Sequence, residues 1–224
     1  MRSFDQIFAM AAGHHGGAKA VAAALPRPLG HDALLAVPDA QWLSILSRTV
    51  FSAGFAWKVV EAKWPAFEDA FGGFVPGPIT LMDDEALEIA ARAGGIPHMA
   101  KARAVRDNAI LFRELASEHG SAAAFFAGWP PERYDALLEL LKKRGGRLGG
   151  STAQYFLRMM GIDGWITTTD VTAALVREGV VDKAPTSRKA MAAVQGAFNA
   201  WRVESGRPLC AVSKTLALSV GPGH

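Results

Sequence analysis

Residues 144–154 read RGGRLGGSTAQ, a glycine-rich turn between two stretches with helical composition. The stretch before the turn ends in the basic run 142–144, and Ser151 and Gln154 have the Ser-x-x-Gln spacing of a helix capping box. Because glycine has no Cβ, it lets the backbone turn sharply and approach another surface closely. We therefore predict a helical hairpin over about residues 137–160, in which the second helix begins near Ser151.

The start of this second helix is a candidate anion-binding site. Unpaired N–H groups and the positive end of the helix dipole favour a phosphate group at such a position. The residues of the hairpin that could contact DNA are Lys142, Lys143, Arg144, Gly146, Arg147, Gly149, Gly150, Ser151 and Thr152. Taken alone, the hairpin is explained equally well as a plain helix–turn–helix with a solvated basic edge.

Helical periodicity continues on both sides of the hairpin. Apolar residues recur at steps of three and four between residues 101 and 119, which predicts one helix that Gly120 ends. Similar patterns predict helices over 42–50, 134–143, 152–160, 171–178 and 188–202, and the first 30 residues also favour helix. No run alternates apolar and polar residues, so the predicted fold class is all-α. We expect one domain over residues 1–224, or two helical lobes with the active-site cleft between them.

Composition limits the classes of protein and site. The net charge of +3 permits a polyanionic partner but does not require one. Cys210 is the sole cysteine, which excludes an intramolecular disulfide and any metal site built on several thiolates. We expect neither a metal nor a cofactor. The N-terminus has no signal-peptide pattern, and no apolar stretch reaches the ~18 residues of a membrane span, so we expect a cytoplasmic protein without a membrane partner.

A further helix start follows the hairpin. Three threonines, 167–169, lead to Asp170 and then to the apolar run that begins at Val171. Aspartate is a preferred N-cap residue, and the helix dipole stabilises a negative charge there, so we predict Asp170 as the N-cap. Taken singly, a capping aspartate is a common structural feature.

The order and spacing of these features resemble the helix-hairpin-helix base-excision DNA glycosylases. The resemblance rests on the glycine-rich hairpin, the helix after it, and Asp170, which follows Ser151 by 19 residues. Three stretches, 46–58, 93–102 and 142–145, resemble the bacterial type I 3-methyladenine DNA glycosylases within that superfamily. Together the similar stretches extend over roughly residues 40–215.

The resemblance implies a chemistry for the chain. The hairpin would bind the backbone of damaged duplex DNA, and the damaged base would be flipped into a pocket and cut from its sugar. Asp170 would stabilise the cation-like sugar and position the attacking water. Some family members also cleave the DNA backbone through a lysine of the hairpin helix, which acts as a Schiff-base nucleophile. Ser151 or Thr152 stands nearest to that position here, and neither can form an imine. The resemblance therefore implies a monofunctional hydrolase that acts as a monomer.

A base pocket needs aromatic faces on which a flat base can stack. Trp57 stands at the matching aromatic position of the type I enzymes, and the candidate pocket residues are Trp57, Thr49, Phe51, Phe55, Trp42 and Tyr155. Thr49 replaces a glutamate that contacts the damaged base in those enzymes, and Cys210 alone cannot reproduce their zinc site of two cysteines and two histidines. An alkylated purine of the 3-methyladenine type is the expected substrate, with oxidised and deaminated bases left open.

A flipping enzyme also needs a side chain that fills the gap left in the duplex. Pro97, His98 and Met99 lie in a tight predicted connection between helices and are candidates for this wedge. The alternative is that the segment is a plain helix connector.

Two other functions fit parts of the sequence. A non-catalytic DNA-binding protein would use the same hairpin, with Asp170 serving only as a helix cap. A helical enzyme or adaptor that acts on small molecules would bind no DNA, and a steep salt dependence of duplex binding would exclude it.

Overall fold

Helices form all of the regular secondary structure in the part of the chain that the computed structural model describes, residues 1–221. They are α1 (Phe4–His14), α2 (Ala18–Ala24), α3 (His31–Leu35), α4 (Asp39–Ser52), α5 (Trp57–Ala70), α6 (Pro76–Ile79), α7 (Asp84–Ala93), α8 (Met99–His119), α9 (Ala122–Ala127), α10 (Tyr134–Arg144), α11 (Thr152–Met159), α12 (Thr169–Arg177), α13 (Arg188–Ser205) and α14 (Leu209–Leu218). Two short 3-10 turns cover Gly72–Phe74 and Pro131–Arg133. The all-α prediction is confirmed.

The described chain divides into two compact units. The central unit contains Gly30–Trp129 and Leu140–Met160, and the terminal unit contains Met1–Leu29, Pro130–Glu139 and the chain from Gly161 onwards. The central unit therefore contains α3 to α9 and α11, whereas the terminal unit contains α1, α2 and α12 to α14.

Helix α8 is the axis of the central unit. It packs against α4, α6, α7 and α9, and its predicted apolar stripe supplies buried core residues, among them Ala102, Val105, Ala109 and Phe112. Gly120, with a φ of 87°, forms the C-cap, because glycine adopts this backbone conformation without strain. The helix predicted from the stripe and its predicted end are both confirmed.

The core of the terminal unit is aromatic and encloses the polar side chain of Gln195. Trp165 packs edge-on against Tyr134 and is stacked near Phe198. The indole N–H of Trp165 and the backbone amide of Asp135 both donate to Oε1 of Gln195, at 3.1 and 3.0 Å. These bonds satisfy a buried amide side chain that would otherwise destabilise the fold.

A second polar centre of the terminal unit is the buried carboxylate of Glu178. It accepts the backbone amide of Arg2 at 2.8 Å, the guanidinium of Arg2 at 2.9 Å and the guanidinium of Arg177 at 2.8 Å. Burial raises the pKa of Glu178, but these three donors outweigh that effect, so its pKa lies below its ordinary value. The ionised carboxylate is therefore a stabilising group of the native fold.

Glu178→Gln is expected to reduce the free energy of unfolding at pH 7 by about 1.5–3 kcal/mol, the usual contribution of hydrogen bonds to a charged group. Because the pKa of Glu178 is lower in the folded state than its ordinary 4.5, its contribution is present above that pH and is lost as pH falls through the folded-state pKa. Urea unfolding of both proteins between pH 7 and pH 3 measures this, and a difference that stays constant over that range contradicts the assignment.

No helix in residues 1–221 is both long enough and apolar enough to cross a bilayer.

Candidate nucleic-acid interface

The hairpin predicted from the sequence lies between α10 and α11, with residues 145–151 as its loop. Arg147 and Gly150 both have a φ of 60°, so the chain reverses through two left-handed positions. A Cβ added at Gly146 would lie 2.9 Å from the Cα of Ala104. The close backbone approach expected for these glycines is real at Gly146, but the surface approached there is α8.

Asn108 fastens the hairpin loop to α8. The amide of Gly146 donates to Oδ1 of Asn108 at 2.8 Å, and Nδ2 of Asn108 donates to the carbonyl of Gly146 at 3.1 Å. Asn108 has no exposed surface. Both polar groups of Gly146 are therefore engaged inside the protein, so this residue serves the hairpin as an anchor.

The other end of the loop is open. Gly149, Gly150 and Ser151 are exposed, and a Cβ at Gly149 or Gly150 would meet no other atom within 4 Å. Among residues 1–221, the backbone amides of these three residues donate to no protein acceptor. Exposed, unpartnered amides at the start of α11 have the chemistry that binds a phosphate oxygen.

The predicted capping box at this helix start is wrong. Ser151 has the helical backbone angles φ −83° and ψ −7°, and its side chain makes no capping hydrogen bond. An N-cap needs an extended backbone so that its side chain can turn towards the helix amides. Gln154 is buried, with 2% exposure, and the spacing of the two residues gave no information about this burial.

Basic side chains of the hairpin fall into two groups. Arg144 pairs with Glu114 at 3.0 Å and Glu118 at 3.1 Å on α8, and the hydrogen bonds from these carboxylates raise the pKa of its guanidinium. Lys142 and Arg147 are exposed, as is Lys143, and Thr152 is half-buried. Arg144 therefore holds α10 against α8, and Lys142 and Arg147 are the stronger candidates for contacting an anion.

Exposed aromatic rings lie in the same unit as the hairpin loop. The segment after α4, residues 53–57, which we call the aromatic loop, ends in Trp57, the first residue of α5. It carries Phe55 at 44% exposure and Trp57 at 41% exposure. The ring of Trp57 meets the ring of Tyr155 on α11 edge-on, with 6.2 Å between centroids. Exposed aromatic faces are the groups on which a flat nucleic-acid base can stack.

The remaining predicted pocket residues lie in the core. Trp42 is fully buried and stacks on Phe126 with 4.9 Å between ring centroids. Phe51 is also fully buried, packed against Phe67 at 4.6 Å. Thr49 is 2% exposed and donates its hydroxyl to the carbonyl of Ile45 at 2.8 Å. In this structure neither buried ring offers a face to a nucleotide.

A buried lysine supports the aromatic loop. Lys101 is 2% exposed, and its ammonium group donates to the carbonyls of Phe51 at 2.8 Å and Ala53 at 2.7 Å. The ammonium nitrogen also lies 4.4 Å from the ring centroid of Phe55. Burial, together with the nearby charge of Arg147, lowers the pKa of Lys101. Neither Lys101 nor Asn108 is among the site residues predicted from the sequence, although both lie on one face of the predicted helix.

The candidate wedge lies at the start of α8. Pro97 is exposed, and His98 and Met99 are half-buried. His98 is the N-cap, with φ −116° and ψ 91°, and the preceding Ile96 is buried at 6% exposure. The segment is thus a short connector with Pro97 at its exposed point, and its role as a wedge stays a prediction.

Asp170 lies in the terminal unit and is not the N-cap of its helix. Thr168 has the extended backbone of an N-cap, and its hydroxyl accepts the amide of Val171 at 3.2 Å. Asp170 is the second residue of α12 and is half-buried. Each of the three preceding threonines could cap the helix, so the first residue of α12 could not be predicted from the sequence. In the first turn, an aspartate still lies at the positive end of the helix dipole.

No group of three or more His, Cys, Asp or Glu side chains in residues 1–221 is arranged to hold a metal ion.

Comparison with known proteins places the chain near one family. The family model for methyladenine glycosylase matches residues 31–134. A crystal structure of 3-methyladenine DNA glycosylase I is 26% identical with a TM-score of 0.49, and the match covers 56% of this chain and 80% of that chain. A crystal structure of the Methanocaldococcus jannaschii 8-oxoguanine glycosylase/lyase, in complex with a 15mer DNA containing 8-oxoguanine, is 17% identical with a TM-score of 0.48, covering 84% of this chain and 82% of that one.

The comparison with curated proteins gives no match. Over residues 31–134 the chain is similar to the methyladenine glycosylases, which confirms the predicted resemblance for the stretches 46–58 and 93–102. The hairpin loop and Asp170 lie outside the matched residues.

Proposed function

We propose that this protein is a monofunctional DNA glycosylase that hydrolyses the N-glycosidic bond of a damaged base flipped out of duplex DNA. The damaged base is an alkylated purine of the 3-methyladenine type. The main support for the proposal is that the central unit contains two features together. These are the unpartnered loop amides at Gly149–Ser151 and the exposed aromatic rings of Phe55 and Trp57. The first feature suits a DNA phosphate and the second suits a flat base.

Each residue has a role in this reaction. The amides of residues 149–151, with Lys142 and Arg147, hold the DNA backbone, which fixes the register of the duplex without reading its sequence. The flipped base stacks on Trp57, and a cationic alkylated base gains an additional attraction to an electron-rich ring. As the glycosidic bond breaks, Asp170 stabilises the positive charge on the sugar and positions the attacking water.

A panel of lesion-bearing duplex oligonucleotides tests this function. The expected result is release of 3-methyladenine or a related alkylpurine as the free base, identified by mass spectrometry. Non-catalytic DNA binding through the same hairpin is the alternative, and duplex binding without release of any base from the panel would favour it. Absence of duplex binding at low salt would exclude both functions.

Borohydride is not expected to trap this protein on damaged DNA. Trapping requires a Schiff base between an amine of the enzyme and the sugar, and Ser151 and Thr152 offer only hydroxyl groups at the start of α11. The measurement is denaturing electrophoresis of the protein incubated with borohydride and lesion-bearing duplex. A covalent complex, or a cleaved strand before alkali treatment, would contradict hydrolysis as the only reaction.

Trp57→Ala is expected to reduce single-turnover base release about 5- to 150-fold, because base–aromatic stacking contributes about 1–3 kcal/mol. Trp57→Phe retains a ring and is expected to keep most of the activity. Val59→Ala is a matched control on the same helix, since Val59 is an apolar residue with 47% exposure. Equal rates for Trp57→Ala and the wild type would remove Trp57 from the pocket.

A further inference from the structure

We propose that Lys101 is a positioning residue, which fixes the aromatic loop to the same face of α8 that anchors the hairpin loop through Asn108. This inference rests on the proposed function. It deepens that function by identifying the residue that keeps the aromatic loop at a fixed distance from the hairpin loop.

Lys101 contacts both the end of α4 and the loop that follows it. The final carbonyls of a helix lack intrahelical donors, and a cation at this end is favoured by the helix dipole. Lys101 supplies donors to the carbonyls of Phe51 and Ala53, at the end of α4, at 2.8 and 2.7 Å. Its ammonium group, 4.4 Å from the centroid of Phe55, adds a cation–π contact to the loop that follows. One buried side chain thus holds both the end of α4 and the loop that leads to Trp57.

The two anchors share one face of a single helix. Lys101, Ala104 and Asn108 are spaced by three and four residues, so their side chains lie above one another along α8. Lys101 holds the aromatic loop, Ala104 packs against Gly146 and Asn108 binds Gly146. With a rise of 1.5 Å per residue, the two polar anchors are about 10 Å apart along the helix axis. The helix therefore acts as a rigid spacer between the aromatic loop and the hairpin loop.

A fixed spacing has a direct consequence for catalysis. A base can react only when its sugar is presented in the right geometry, and a misplacement of about 1 Å can reduce a rate ~100-fold. If the aromatic loop moves independently of the hairpin loop, the duplex is still bound but the base is held incorrectly. Loss of Lys101 should therefore reduce base release far more than duplex binding.

The test compares Lys101→Met, which keeps the apolar stem but removes the ammonium group, with Lys189→Met as the matched control. Lys189 is an exposed lysine of α13, so this control removes the same charge without a clamp. In Lys101→Met we expect hydrogen exchange of the amides of residues 53–57 to become at least tenfold faster. Single-turnover base release should fall about 10- to 100-fold, while affinity for undamaged duplex stays within twofold. Lys101→Gln serves the same purpose if Lys101→Met does not fold.

Asn108→Ala gives the complementary result. Here the hairpin loop is released, so duplex affinity should fall while amide exchange at residues 53–57 stays at the wild-type rate. Unchanged exchange at residues 53–57 in the Lys101 variant would overturn the proposal. So would equal loosening of the aromatic loop in both variants.

The exchange and duplex-affinity measurements need no damaged base. If the wild-type protein released no base, the proposed function would fail, whereas these two measurements would still decide the role of Lys101.

Discussion

Asp170→Asn is expected to reduce single-turnover base release by about 10²–10⁴-fold, with duplex affinity unchanged or raised. The amide has nearly the same shape as the carboxylate, but it carries no charge to stabilise the cation-like sugar and is a far weaker proton acceptor for water. Removing a negative charge also removes repulsion from DNA phosphates, which is why affinity should not fall.

Two controls separate catalysis from helix capping. Asp182→Asn changes an exposed carboxylate of the same unit and is expected to leave base release unchanged. Thr168→Ala removes the observed cap of α12 and should cost about 1 kcal/mol of unfolding free energy, a loss that Asp170→Asn should not reproduce. If Asp170→Asn retains wild-type base release on the substrate identified from the lesion panel, another residue supplies the charge.

The second large effect is expected at the hairpin loop, where two glycines should behave differently. A Cβ at Gly146 would lie 2.9 Å from a backbone atom of α8, which cannot rotate away as a side chain could. Gly146→Ala should therefore displace the loop, lowering the free energy of unfolding by about 1–3 kcal/mol and weakening duplex binding. Urea unfolding and duplex titration measure the two losses.

Gly149→Ala should weaken DNA binding without destabilising the protein. Its Cβ would meet nothing in the protein, so we expect the unfolding free energy to change by less than about 0.5 kcal/mol. If a phosphate approaches this backbone, the added methyl group obstructs a charge-assisted hydrogen bond worth about 1.5–3 kcal/mol, a loss of at least roughly tenfold in affinity. Gly196→Ala, an exposed glycine on α13, is the control and should bind duplex as the wild type does. Wild-type affinity in Gly149→Ala would place the phosphate elsewhere.

The elements of this fold follow from local sequence patterns. Periodic apolar residues identified α8, and the helix-terminating property of glycine located its end at Gly120. The hairpin could be predicted for the same reason, since a basic helix end, clustered glycines and a new helix are all features of neighbouring residues. The fold class, and the bounds of α4, α8 and α10 to α13 to within three residues, therefore required no knowledge of tertiary contacts.

The helix caps and the anchors could not be predicted in this way. Thr168 was passed over for Asp170 because several adjacent residues had suitable side chains, and only backbone geometry distinguishes them. Asn108 binds Gly146, which lies 38 positions away, and Lys101 binds Phe51, which lies 50 positions away. Such partners are brought together by packing, and no spacing rule for a single helix contains that information.

The same limit applies to aromatic residues. Trp42 lies on a predicted amphipathic helix and Trp57 lies in the stretch that resembles the type I enzymes, yet the first is fully buried and the second is 41% exposed. Burial depends on which neighbouring helices cover each ring, and that is a property of the assembled unit. The sequence therefore supplied a set of candidate rings, of which Phe55 and Trp57 are exposed and Tyr155 is half-buried in the structure.

Cys210 has a practical consequence for following this protein in solution. It is the sole cysteine of the chain, is 1% exposed, and directs its thiol at the carbonyl of Pro26. A thiol so enclosed reacts slowly with maleimides. The wild-type protein should therefore take up little label, and a cysteine introduced at the surface can be labelled selectively. A fluorophore attached to Ser151→Cys would lie beside the exposed loop amides and would report arrival and departure of a duplex in real time.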